Sequence, residues 1–97
     1  MNRVIEIILI ETENCIPCRI MGKRIMDIDQ RISTYKGYAL EVRKKSASIC
    51  QDEIERFSLR KAPALLLINK ENKKEAICTG LCDFLQIEKM LNEVIEP

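Results

Sequence analysis

Cys15-Ile16-Pro17-Cys18 is the segment of this sequence whose residue types and spacing are best suited to chemistry. Two thiols separated by two residues can close a disulfide, and they can equally supply half of a zinc or iron–sulfur site. A helix opening at the first cysteine would favour disulfide chemistry. Its unpaired backbone N–H groups and the positive end of its dipole stabilise a thiolate, the nucleophile of disulfide exchange. A thiol in that setting can fall from a pKa of about 8.5 toward 7. Cys15, at the helix entrance, is then the attacking group, and Cys18, one turn in, resolves the mixed disulfide. Arg19 follows directly. It is placed either to support the thiolate and steer an acidic partner or simply to face solvent.

The rest of the inventory narrows the alternatives. The chain has 97 residues with five Cys and no His, which removes Ser–His and Cys–His catalysis and every His-containing metal site. A formal charge of +1, 46% hydrophobic and 32% charged residues describe a globular chain, read as one domain over residues 1–97. That balance lacks the basic footprint expected for nucleic acid or an anionic membrane. The early apolar run Val4–Ile10 is too short to span a bilayer and has no signal-type cleavage site after it. The expectation is a soluble, cytoplasmic monomer in which unpaired thiols stay reduced.

A strand and a helix must hold the two thiols. Val4–Ile10 is β-branched and apolar up to Glu11-Thr12-Glu13-Asn14 and reads as a buried strand. From Cys15 the period changes, and Cys18, Met21, Ile25, Ile28 and Ile32 form one stripe on a helix. Pro17 falls in its first turn, where the missing N–H costs nothing. Gly22 is its one poor helix former. Tyr35-Lys36-Gly37 reads as a turn and Tyr38–Val42 as a second strand. Ser48-Ile49-Cys50-Gln51 has capping-box spacing for a short helix through Phe57. Pro63 leads a third strand, Ala64–Ile68, and Asn69–Lys74 turns into a fourth near Glu75–Thr79, ended by Gly80. Asp83 caps a last helix with Gln86 at the matching position, and Phe84, Ile87, Leu91, Val94 and Ile95 face the core. The order β-α-β-α-β-β-α predicts an α/β fold: a mixed four-stranded sheet flanked by three helices on both faces.

Strand, C-x-P-C and amphipathic helix in that order resemble the thioredoxin superfamily. Cys15-Ile16-Pro17-Cys18 is similar to the thioredoxin C-G-P-C, and Arg60-Lys61-Ala62-Pro63-Ala64-Leu65 is similar to its R-G-I-P-T-L segment. The resemblance implies a thioredoxin-like fold and a disulfide oxidoreductase without resident metal or cofactor. It implies that Pro63 is a cis-proline beside the active pair. It also implies that Ala62 offers its backbone to an extended substrate, with Ile16 and Pro17 on the same surface. The plan that begins at the catalytic strand is closer to glutaredoxins. Thr79-Gly80-Leu81-Cys82-Asp83-Phe84 resembles their G-G-C-D-D stretch, implying Thr79, Gly80 and Asp83 at a glutathione γ-glutamyl subsite. Asp83 is at the same time an ordinary helix cap. The chain departs from the family pattern at five positions. Leu9 stands where thioredoxins bury an acid, Asn14 replaces their tryptophan, Ala62 replaces the usual Val, and Leu81 and Phe84 replace a Gly and an acid.

Cys50, Cys78 and Cys82 fall on the same half of the expected fold as the active pair. The strand order implied by the resemblance puts the first and fourth strands about 10 Å apart, so a direct Cys15–Cys78 bond would require movement, because a disulfide needs Cα atoms within about 7 Å. Buried small hydrophobes, a Cys78–Cys82 pair and an auxiliary redox role all remain open for these three. The leading reading is a dithiol–disulfide oxidoreductase acting on protein or small-molecule disulfides and recharged by glutathione or a thioredoxin-reductase-type donor. The alternatives are a zinc or iron–sulfur protein ligated by Cys15, Cys18, Cys78 and Cys82, and a redox sensor using the extra cysteines.

Overall fold

The computed structural model describes residues 3–49, 51–57 and 61–96. Its elements are β1 (Val4–Glu11), α1 (Ile16–Arg31), β2 (Thr34–Tyr35), β3 (Tyr38–Ser46), a 3-10 turn (Ala47–Ile49), α2 (Gln51–Arg56), β4 (Ala64–Asn69), β5 (Glu75–Thr79) and α3 (Phe84–Ile95). The strands form one mixed sheet in the order β2-β3-β1-β4-β5. β1 runs parallel to β3 and antiparallel to β4, so the strand that leads into Cys15 lies at the centre.

Strand alternation sorts the core onto two faces. Ile5, Ile7 and Leu9 point to one side, where they pack with Met21 and Ile25 of α1 and Ile87, Leu91 and Val94 of α3. Ile8 and Ile10 point to the other and meet Leu66 and Ala64, covered by Ala47, Ile54 and Phe57. Continuous burial along β1 follows from cover on both faces, as in parallel-sheet cores. Each fully buried aliphatic side chain contributes roughly 1.5–3 kcal/mol.

Asn69 is a fully buried polar residue of this core. Its amide donates to the Val94 carbonyl near the end of α3 at 2.9 Å, and its side-chain oxygen accepts from the Glu71 N–H at 2.9 Å. Burial of this amide is therefore compensated at both ends.

Five expectations change in detail. A fifth strand, the two-residue β2, pairs with Tyr38 across Lys36-Gly37, whose φ angles of 49° and 86° are those a two-residue hairpin turn requires. β3 continues through the charged stretch to Ser46 because it pairs with β1 from Ala39 to Ser46, and Arg43 and Lys45 find Glu6 and Glu53 as partners. Ser48 lies inside the 3-10 turn with its hydroxyl 2.9 Å from that of Ser46, so it does not cap α2. Phe84 is 51% exposed rather than core: it opens α3, whose buried stripe is Ile87, Met90, Leu91 and Val94. Ile32 likewise ends α1 as its C-cap instead of extending the buried stripe.

Candidate redox site

β1 ends at Glu11, and the chain turns through Asn14, held at φ 53°, before entering α1. Cys15 is the N-cap, with extended φ −114° and ψ 108°. Its Sγ takes the place of a capping oxygen, accepting the Cys18 backbone N–H at 3.1 Å. An otherwise unpaired helix donor thus points at the sulfur. Pro17 sits in the first turn and gives up no needed hydrogen bond. Cys15 and Cys18 are joined in a disulfide with Cα atoms 5.2 Å apart. The two sulfurs have unequal surroundings. Cys15 is half-buried, Cys18 is 1% exposed, and Ile16 between them is 69% exposed.

Leu9 is fully buried on the sheet face beneath α1. The same face continues past it to Glu11 on β1, and past Leu40 and Val42 to Lys44 on β3, which pairs with Leu9. Both charged groups reach the underside of α1 at Gly22. A Cβ there would meet Lys44 Nζ at 3.1 Å and Glu11 Oε2 at 3.7 Å. Gly22 is therefore a notch that admits two charged side chains one turn beyond Cys18. In the sequence Glu11 reads as the polar boundary of the first strand and Lys44 as part of a solvated charged run; the two-residue parity along β1 and β3 is the signal that puts them on one face.

The Ala62–Pro63 peptide is cis and Pro63 is buried. Because Ala64 pairs with Ile10, Pro63 comes level with the end of β1, where the chain departs for Cys15. Thr12, Lys61 and Ala62 line a cleft of about 170 Å³ beside this loop, together with Ile10, Ala47 and Ile54. Gly80, at φ 78°, donates its backbone N–H to the Pro63 carbonyl at 2.8 Å. Thr79 pairs with Ala64, so the expected residues Ala62, Pro63, Thr79 and Gly80 share one end of the sheet. Arg19 is exposed, and its side chain makes no hydrogen bond among the described residues. Arg60 and Cys50 lie outside the described residues.

Cys78 and Cys82 form a second disulfide, with Cα atoms 6.6 Å apart. Cys82 is fully buried; its N–H approaches Met21 Sδ at 3.3 Å, and its carbonyl accepts from the Arg24 guanidinium at 2.7 Å. Asp83 caps α3 in a complete capping box with Gln86. The four cysteines of the expected metal alternative are thus divided into two bonded pairs. Among the described residues no three His, Cys, Asp or Glu side chains gather as a metal site. No helix among them is long and apolar enough to cross a membrane.

No protein-family model and no curated protein matches the sequence. Solved structures do match the backbone. Chloroplastic thioredoxin z superposes with a TM-score of 0.74 at 16% identity, covering 96% of this chain and 80% of that one. The germline-specific thioredoxin Deadhead of Drosophila melanogaster gives 0.73 at 16% identity, over 96% and 83%. Fasciola hepatica thioredoxin gives 0.73 at 15% identity, over 94% and 82%. Agreement of this extent at such low identity lies in the path of the backbone, and by that path the chain has the thioredoxin-superfamily fold.

Proposed function

We propose that this chain is a thiol–disulfide oxidoreductase in which Cys15 attacks and Cys18 resolves. The observation that carries the reading is the Cys18 N–H donated to Cys15 Sγ at the opening of α1. That donor stabilises negative charge on the sulfur that solvent can reach and leaves the buried sulfur as the second reactant. Reduced Cys15 attacks a substrate disulfide as thiolate, and one substrate sulfur departs with the bonding electron pair and takes up a proton. Cys18 then loses its proton and attacks Cys15 Sγ, the mixed disulfide breaks, and the second substrate thiol leaves. The protein pair is oxidised by two electrons and the substrate disulfide is reduced.

Exposed Ile16, with Pro17 and the Ala62–Pro63 loop, forms the surface on which an extended substrate segment would lie, pairing with the Ala62 backbone. Asp83 has its carboxylate engaged in the α3 cap, which favours a reductase-type electron donor over glutathione as the recharging partner. Alkylation followed by peptide mass mapping tests the reading. After mild oxidation a loss of two protons must map to Cys15–Cys18, and both thiols must return with reductant. Absence of that bond, or stoichiometric metal on the reduced thiols, would sink it. Recycling by glutathione alone, with none by a thioredoxin reductase, would reverse the choice of donor.

A further inference from the structure

We propose that Cys78–Cys82 is a second redox site that regulates the first, an inference that rests on the oxidoreductase reading of Cys15–Cys18. The second bond closes a short ring between the end of β5 and the start of α3. Inside that ring Gly80 holds a left-handed conformation and donates its N–H to the Pro63 carbonyl at 2.8 Å. Beyond it, Cys82 is fixed to α1 by the Arg24 guanidinium on its carbonyl and by the contact of its N–H with Met21 Sδ. Met21 lies three residues past Cys18 on the buried side of the same helix. The disulfide therefore fastens the loop that faces substrate to the helix that carries the active sulfurs. Opening it frees residues 79–81 from a ring and lets Gly80 leave Pro63.

The two bonds differ in what supports their reduced forms. Cys15 Sγ receives a backbone N–H, whereas among the described residues no N–H is donated to Cys78 or Cys82 sulfur. A pair whose thiolate is stabilised is the easier to reduce, so Cys15–Cys18 opens first and Cys78–Cys82 only under stronger reductant. The opening reagent is a dithiol. Its thiolate attacks Cys78 Sγ, the more exposed sulfur, and the Cys78–Cys82 bonding pair leaves on Cys82, which is protonated. The reagent's second thiol then displaces Cys78 as thiolate, which takes the remaining proton, and the reagent closes into a cyclic disulfide. Two electrons and two protons pass to the protein. Closed, the ring holds the Pro63 loop ready for a protein substrate; open, it weakens that binding.

Titration with dithiothreitol against its oxidised form, read by alkylation and peptide mass, must show two separate two-electron steps, Cys15–Cys18 first. Wild-type protein reduced only at Cys15–Cys18 is then compared with fully reduced protein and with the Cys78→Ala/Cys82→Ala variant, using insulin as the disulfide probe. Opening the second bond raises the KM for insulin about fivefold, one hydrogen bond of about 1 kcal/mol at 1.4 kcal/mol per factor of ten. Exchange of Cys15 with small dithiols is unchanged. Both wild-type states are compared without mutation, so a misfolded variant does not blunt the test. Equal KM in the two states, or a single merged reduction step, overturns the inference alone. Failure of Cys15–Cys18 to exchange with insulin in either state overturns the oxidoreductase reading and this inference with it.

Discussion

The sharpest consequence of the capped sulfur concerns how much of Cys15 is thiolate at neutral pH. The perturbation is Cys18→Ala, which removes the partner thiol but keeps the backbone N–H at 3.1 Å and the whole of α1. A hydrogen bond to a charged acceptor is worth about 1.5 kcal/mol at the low end of its range, suited to a half-buried sulfur. The helix end adds about 0.5 kcal/mol. Together, about 2 kcal/mol multiplies the thiolate-to-thiol ratio about thirtyfold. An ordinary cysteine is about 3% thiolate at pH 7, so Cys15 in the folded variant is expected to be about half thiolate. The assay is pulse alkylation across pH with peptide-resolved mass detection, run on native and urea-unfolded Cys18→Ala protein. The unfolded sample supplies the reference for the same residue. Linkage gives a second readout: a native thiol that ionises more readily adds stability above the unfolded value, about pH 8.5, and loses it as pH falls through the native one. Coincident alkylation profiles for native and unfolded protein would refute the argument that the backbone donor activates Cys15.

Three further expectations follow from the same geometry. Gly22→Ala should stabilise the protein by up to about 1 kcal/mol, or about 5 °C in Tm, because helix propensity outweighs moving the flexible Lys44 tip 3.1 Å away; a lower Tm contradicts this. At Gly80 nothing lies within 4 Å of an added Cβ, so the penalty comes from φ 78° alone, about 1–2 kcal/mol for Ala and less for Asn. Urea unfolding should rank Gly above Asn above Ala, and any other order removes the conformational explanation. The Glu53 carboxyl is held below its usual range first by its hydrogen bond to Lys45, so the pair stabilises the fold above the unfolded carboxyl value and less as pH falls through the native one. Glu53→Gln should flatten that acid limb by less than about 1 kcal/mol, the scale of an exposed pair, and an unchanged limb argues against it.

What is legible in the sequence is what is decided locally. β1, α1 and α3 declare themselves because each buries one strong periodic face, and Asp83 with Gln86 spells out a cap that the structure contains in full. The disulfide of Cys15 and Cys18 and its helix donor lie within four residues. β2 is too short for any periodicity, and the charged end of β3 hides because Arg43 and Lys45 draw their partners from Glu6 and Glu53. Phe84 carries the right residue type for the core but falls at the start of its helix, outside the stripe that meets the sheet. Arg24 is a more severe case: its bond to the Cys82 carbonyl spans 58 residues, and only the assembled sheet brings those groups together. The juxtaposition of Gly80 with Pro63 belongs to the same class, since strand pairing sets it.

The unequal cover on the two sheet faces gives the molecule a fast side and a slow side. α1 and α3 bury nine residues between them on one face of the sheet, whereas α2 contributes no buried residue to the other. Local opening draws on the elements with least burial, so α2 amides should exchange with deuterated solvent well before those of α1. The cleft lined by Ala47, Ile54 and Ala62 can therefore breathe on its own. Opening there leaves the sulfur at the head of α1 in register with its amide, because that contact lies within α1 and its cap. Ease of opening and fixity of the Cys15–Cys18 end are then properties of opposite faces of one sheet.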